Sequence, residues 1–265
     1  VRRVGLVKRM TIGDNWLVDA LEQEFPLIRA EGWSSSVRRY LRSSSIAQRC
    51  ELAVQFELLG HRTSASGQGL RRMDNGTAMH SRWNEYFKRL PHFVGHDVRV
   101  EAPDGSVVGS IDIVVRDPRS DQDVVIEMKS VGSWGYRAMP EPGSREDNLT
   151  MMLAHHPSYV AQLMTYVKFH GAQYGGFLFE NKDNQEYRVY FIDYDQSVWE
   201  TLTSKSFLAL EATKNGKRLG QPFDHASKQC GMCGHLSLCR AVARKDPETI
   251  NLINERLERA SADHE

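Results

Sequence analysis

The sequence predicts a mixed α/β fold, and three observations carry that prediction. Apolar residues recur at helical spacing up to about residue 90, the period falls to two between residues 98 and 131, and a helical stretch at 157–170 then leads into two further short strands. Helix, meander, helix and hairpin in that order make a central sheet flanked by helices. A chain of 265 residues is long enough for one sizeable core and a small appendage. Its 40% hydrophobic and 26% charged content is ordinary for a globular protein and excludes a disordered or collagenous chain.

Residues 1–42 mix helix-forming stretches such as 15–24 with breaks at Pro26 and Gly32-Trp33-Ser34, and read as an accessory segment without a motif. Ser43, Ser44 and Ser45 then offer N-caps for a helix over 46–59 that Gly60 closes, with Cys50 in its second turn. A second helix is predicted over 75–90, with Met79, Trp83, Tyr86, Phe87 and Leu90 on one stripe and His80 beside them. Alternation predicts strands at Val98 and Val100, at 107–115 and at 124–131, separated by Pro, Asp, Gly and Ser. Residues 132–148, rich in Gly, Pro and charge, read as a long mobile loop or a substrate gate. A helix over 157–170, a strand at 176–180, a turn at 181–185 and a strand at 187–193 follow.

No run approaches the roughly 18 apolar residues of a membrane span, and residues 1–9 are charged without the apolar core of a signal peptide, so no membrane partner and a cytoplasmic address are expected. Lys plus Arg equals Asp plus Glu at 34 each, so net charge does not announce a nucleic-acid partner. Arginines do cluster locally, as Arg38, Arg39 and Arg42 and as Arg71 with Arg72. The four cysteines, Cys50, Cys230, Cys233 and Cys239, form a pattern, and C-x2-C-x5-C in a cytoplasmic chain points to metal ligation over disulfides. Three local thiols need a fourth ligand. Cys50 completes four thiolates for Zn2+ or a [4Fe-4S] cluster, while His225 or His235 could take its place in a zinc site.

The strongest catalytic signal is Gly109-Ser110-Ile111-Asp112 followed by Val124-Val125-Ile126-Glu127-Met128-Lys129. A turn centred near residues 119–120 places Asp112 opposite Glu127 in an antiparallel hairpin. Alternation puts Glu127 and Lys129 on one face, Ile126 and Met128 on the other, and sets Asp112 against both Ile111 and Ile113. Two crowded carboxylates call for a raised pKa or a hard divalent cation, and oxygen ligands favour Mg2+ or Mn2+. Such a centre activates water and stabilises a phosphorane-like transition state. A lone D…E-x-K spacing is common, so its neighbours decide: Gly76-x-x-x-His80 precedes it and Gln162-x-x-x-Tyr166 follows, one helical turn apart and on one face.

That order of Gly76, His80, Gly109, Asp112, Glu127, Lys129, Gln162 and Tyr166 resembles the RecB-type branch of the PD-(D/E)XK nucleases over residues 43–240. The resemblance implies a restriction-endonuclease-like core, with residues 1–42 accessory and 241–265 a helical tail. It implies that His80, Asp112, Glu127 and the Met128 carbonyl bind the catalytic metal, that Lys129 orients the water, and that Gln162 and Tyr166 line the substrate site. Ser44-Ser45-Ile46-x3-Cys50 with the C-terminal triplet is similar to the iron-sulfur subset, which includes CRISPR-adaptation exonucleases and AddB recombination subunits. In that subset the cluster is structural, tying a helical N-terminal part to the C-terminal part. The implied activity is a Mg2+- or Mn2+-dependent deoxyribonuclease acting on DNA ends, single strands preferred, with Trp134 or Tyr136 stacking bases and Lys182 reaching a phosphate. The alternative is a DNA-end-binding subunit working through an integrase, recombinase or helicase partner. No Walker motif is present, so a free-standing nuclease fits better than a fused helicase.

Overall fold

A computed structural model describes residues 32–34, 36–47, 50–63 and 67–262; the stretches at 1–9 and 15–24 lie outside the described residues. Its centre is a six-stranded mixed sheet. Strands β1 (Gly32–Trp33) and β3 (His61–Arg62) form a separate antiparallel pair, while β2 (Leu41–Arg42) joins the main sheet. Next come β4 (Phe93–Glu101), β5 (Val107–Asp117) and β6 (Gln122–Val131), an antiparallel meander. β7 (Tyr174–Asn181) lies parallel to β6, and β8 (Tyr187–Asp193) returns antiparallel to β7.

Helices cover both faces. Between β6 and β7 the crossover holds α3 (Ser133–Ala138), α4 (Arg145–His155) and α5 (Pro157–His170); α6 (Gln196–Lys214) follows β8. α5 packs Val160, Leu163, Met164 and Val167 onto Val114, Val125 and Phe177. A Cβ added to Gly175 would lie 2.8 Å from Leu163 Cδ1 and 3.0 Å from Val167, so the glycine leaves room for these α5 side chains against β7. The opposite face carries Val124, Ile126, Met128 and Leu178 under Met79, Trp83 and Phe87 of α2 (Gly67–Phe87). Each fully buried Leu, Ile or Phe contributes about 1.5–3 kcal/mol.

α1 (Glu51–Leu58) and α9 (Pro247–Ala262) share a further cluster of Leu52, Phe56, Leu59, Leu238, Ile253 and Leu257. Two short helices, α7 (Lys228–Gly231) and α8 (Leu236–Ala243), carry the C-terminal cysteines. Arg256 of α9 donates to the Leu59 carbonyl at 2.6 Å and the Ser34 carbonyl at 2.9 Å, closing the C-terminal end of α1. Among the described residues no helix is long and apolar enough to cross a membrane.

Several expectations need correction. Ser43–Ser45 form a short 3-10 turn, and the helix begins at Glu51, so Cys50 is its extended N-cap residue and not part of its second turn. α2 starts at Gly67, eight residues before the expected 75, over a stretch rich in glycine and charge. Tyr86 and Leu90 fall outside its packed face and are exposed. Residues 132–148 are no open loop. Ser144 caps α4 by accepting from Asp147 N–H, and Arg188 on β8 donates to the Tyr136 and Met139 carbonyls. Tyr136 is thereby buried beneath the Arg188 guanidinium and closed to a base, whereas Trp134 is 87% exposed.

Candidate active site

The β5–β6 ladder runs from Asp117/Gln122 to Ile113/Ile126 and stops. By that register the next facing pair is Asp112 and Glu127, and there the strands part. Asp112 Oδ2 replaces the missing ladder bond by accepting from the Met128 N–H at 2.7 Å. Further along β5, Val108 pairs with Glu101 of β4 on one edge and Arg42 of β2 on the other. Residues 109–112 are left between β6 and β2 on an edge that no strand fills, so the carboxylates stand at a split in the sheet. Across from Asp112, Asp97 of β4 leaves the ladder with φ 52°. Ile111 packs on the α5 face and Ile113 on the α2 face, so simple alternation, which put both opposite Asp112, breaks at this residue.

Side chains from four elements converge on the split. His80 of α2 lies 3.2 Å from Asp112 Oδ1 through Nδ1. Lys129 pairs closely with Glu127 Oε1, reaches Gln162 Oε1 at 3.4 Å, and stands 4.7 Å from the Tyr159 ring centroid. Gln162 Nε2 and Ser43 Oγ each donate to the Tyr166 hydroxyl at 3.0 Å. Gly109 makes this last contact fit, since a Cβ there would lie 2.4 Å from Ser43 Oγ and 2.8 Å from the Tyr166 ring.

Burial, then repulsion from Asp112, pushes the Glu127 carboxyl above its usual range, against the pull of Lys129. Burial pulls Lys129 down, but Glu127 more than offsets it and the ammonium is favoured. The hydrogen bond with Asp112 raises His80, with burial opposing. Tyr166 is raised well above an ordinary phenol, by burial first and by Glu127 second. Among the described residues, Glu127 Oε2 is buried without a hydrogen-bond partner. An uncompensated buried carboxylate oxygen is costly, and a positive ligand is one remedy.

The structure thus brings together His80, Asp112, Glu127, Lys129 and Gln162. Tyr166, at 2% exposure, stands behind Gln162, its hydroxyl accepting from Gln162 and Ser43. Met128 turns its side chain to the α2 face and contributes its N–H. Lys182 is exposed on the β7–β8 turn, beside Gly132. Ser43 and Tyr159 were not singled out by sequence. Tyr159 precedes Gln162 by one helical turn on α5, a spacing that marked it, whereas Ser43 read only as a cap.

All four cysteines line one cavity of about 400 Å3, with Phe56 and His235 in its wall. Burial and the neighbouring Cys50, Cys230 and Cys233 push the Cys239 thiol up to about 11. His225 Nε2 stands 3.2 Å from Cys239 Sγ, while His235 faces His61 across 2.9 Å between their Nδ1 atoms. As the side chains stand, no three His, Cys, Asp or Glu of the described residues are grouped closely enough to hold a metal ion.

No family model and no curated protein matches the chain. Among solved structures, SSO0001 is 13% identical with TM-score 0.45, covering 85% of this chain and 96% of that one. An alkaline exonuclease from Laribacter hongkongensis is 18% identical with TM-score 0.43, covering 66% of this chain and 89% of its own. A phage-related exonuclease from Haemophilus somnus 129PT is 13% identical with TM-score 0.44, covering 65% and 92%. Scores this low assign no activity to the chain.

Proposed function

We propose that this protein is a divalent-metal-dependent nuclease that hydrolyses DNA phosphodiester bonds from an end, preferring single strands, and that its four cysteines hold a structural [4Fe-4S] cluster. One observation carries the nuclease reading: at the point where β5 and β6 part, Asp112 and Glu127 face each other by register, His80 is bonded to the first and Lys129 to the second. The end preference follows from the motif order that resembles the RecB-type enzymes.

The donor chemistry suits a hard cation, though these side chains would have to draw closer to share one: His80 is bonded to Asp112, Glu127 lies next to Asp112 by register, and among the described residues Glu127 Oε2 is a buried acceptor lacking a donor. A divalent ion supplies charge that lowers the pKa of water and stabilises negative charge developing on phosphorus-bound oxygens. The chain's own residues do the rest. Asp112 is oriented by the Met128 N–H and His80. Lys129, held by Glu127 and Gln162, keeps its proton and offers it as a hydrogen-bond donor to the attacking water or to a phosphoryl oxygen. Tyr166 and Ser43 hold Gln162 from behind, which makes them positioning residues. The cluster assignment rests on the C-x2-C-x5-C spacing with Cys50; the four thiols line one cavity, where burial first and the neighbouring cysteines second raise Cys239, and they would have to draw together to hold a cluster.

End-labelled single-stranded, linear duplex and circular duplex DNA incubated with Mn2+ or Mg2+ tests the activity. Asp112→Asn is expected to lower cleavage at least about 100-fold, the scale of lost electrostatic stabilisation, with strand binding retained. Cleavage by Asp112→Asn at the wild-type rate would falsify the site, and equal rates on circular duplex and linear single strand would remove the end preference. Anaerobic purification with iron and sulfide quantitation tests the cluster, and a colourless zinc protein counts against it.

A further inference from the structure

Away from the carboxylates lies a polar cavity of about 520 Å3, between the chain leading into β2 and the β3 turn, walled by Ser34, Arg38, Tyr40, Arg42, Arg62 and Thr63. Three guanidinium groups face it. Burial first, and then the charges of Arg42 and Arg62, disfavour the charged form of Arg38, with Glu57 and Tyr40 opposing. Arg38 is fixed in place by donating to the Glu57 carbonyl at 2.8 Å. Among the described residues no carboxylate forms an ion pair with Arg38, Arg42 or Arg62; Glu57, the acid in the wall, lies 3.6 Å from His235. Three guanidinium groups against one carboxylate, among serine, threonine and tyrosine hydroxyls, complement an oxyanion.

The cavity shares part of its wall with an opening on the unpaired edge of β5. Tyr40, Arg42 and Ser44 also line this second opening, whose far side is Gly109, Ser110 and Tyr166. Arg42 pairs with Val108, four positions before Asp112. At about 3.3 Å per residue that is about 13 Å, or about four nucleotides of a stacked strand at about 3.4 Å each.

We propose that this cavity binds internal phosphodiesters of the strand being cut, about four or more nucleotides from the scissile bond. The proposal rests on the nuclease reading and adds to it a track for the strand. The test uses the full chain carrying Asp112→Asn, with Arg42→Gln or Arg62→Gln added; both arginines are exposed and leave the core untouched. Affinity is measured by anisotropy across a salt series for single strands of about twelve and about three nucleotides, each with a 5′-hydroxyl or a 5′-phosphate. Each arginine variant is expected to weaken the longer strand severalfold and to flatten its log–log salt slope by about 0.7. The three-nucleotide strand is expected to bind as before, with no dependence on the end group. Unchanged affinity and slope on the longer strand, equal losses on both lengths, or losses confined to 5′-phosphorylated strands would each overturn the proposal. Its failure is separable from that of the nuclease reading, which falls if the wild type does not cleave or if Asp112→Asn cleaves at the wild-type rate.

Discussion

Gly109→Ala probes the closest approach in the site. The new Cβ would stand 2.4 Å from Ser43 Oγ, 2.9 Å from Ser43 Cβ and 2.8 Å from Tyr166 Cε1. None of these atoms is the free end of a flexible chain: Ser43 is 3% exposed in the 3-10 turn after β2, and Tyr166 is 2% exposed in the middle of α5. Forcing a methyl into such packing costs about 1–3 kcal/mol. Ser43→Gly removes two of the three clashing atoms and gives up one hydrogen bond to Tyr166, worth about 1 kcal/mol. The double variant is therefore expected to be more stable than the sum of the two single losses predicts, by about 1 kcal/mol or more. Urea titrations at constant m-value give the four stabilities of the cycle. Additivity within about 0.5 kcal/mol would refute the close approach. Cleavage should follow the same cycle, because displacing Tyr166 displaces Gln162 and with it Lys129.

Tyr166→Phe leaves the Ser43 and Gln162 donors without their acceptor, so a stability loss of about 1–3 kcal/mol is expected, with kcat falling and KM held; wild-type values in both assays would count against the positioning role. Trp134→Ala should leave Tm unchanged, the ring being 87% exposed, while weakening single-strand affinity by about 1–3 kcal/mol if a base stacks there, and unaltered binding removes that contact. Asp117 accepts from Arg119 and from the Tyr174 hydroxyl, which hold its carboxyl well below the usual carboxylate range. A depressed folded pKa stabilises above the unfolded value of about 3.9 and is lost as pH falls through the folded one. Melting curves of wild type and Asp117→Asn should therefore differ near neutrality and converge in acid, and a gap that widens in acid contradicts this.

The hairpin was legible because a period of two fixes faces and a turn centre fixes register; those two facts sufficed to place Asp112 opposite Glu127 and Lys129 beside it. Ile111 shows the limit of that counting. One residue of β4, Asp97, leaves the ladder with positive φ, and alternation fails on the facing strand. Residues 132–148 were misread for another reason. Their composition outweighed a capping signal that was present, Ser144 three residues before Asp147. What holds the segment down comes from β8, where Arg188 donates to two of its carbonyls and Tyr190 to a third, on Pro140. Contacts so distant in sequence leave no local trace. Ser43 was hidden likewise, since its partner Tyr166 lies on another element.

The short run from β2 to α1 serves both halves of the proposed enzyme. Arg42 and Ser43 sit at the split edge of β5, with Ser43 donating to Tyr166, and seven positions after Ser43 stands Cys50, the N-cap residue of α1, in the cysteine cavity. The other three thiols arrive from α7, α8 and the turn between them, against the same α1 cluster that Leu238 and Leu257 fill. Tying Cys50 to Cys230, Cys233 and Cys239 through a shared inorganic core closes a loop of most of the chain, which restricts the unfolded state more than the folded one. The proposed cluster would also anchor the far end of the run that delivers Ser43. Ser43 itself is held in a 3-10 turn and is 3% exposed. The hydrogen bonds from Ser43 through Tyr166 and Gln162 to Lys129 therefore begin from a braced position. By this route the proposed cluster, outside the cleft, would act on the proposed site without touching a bound strand.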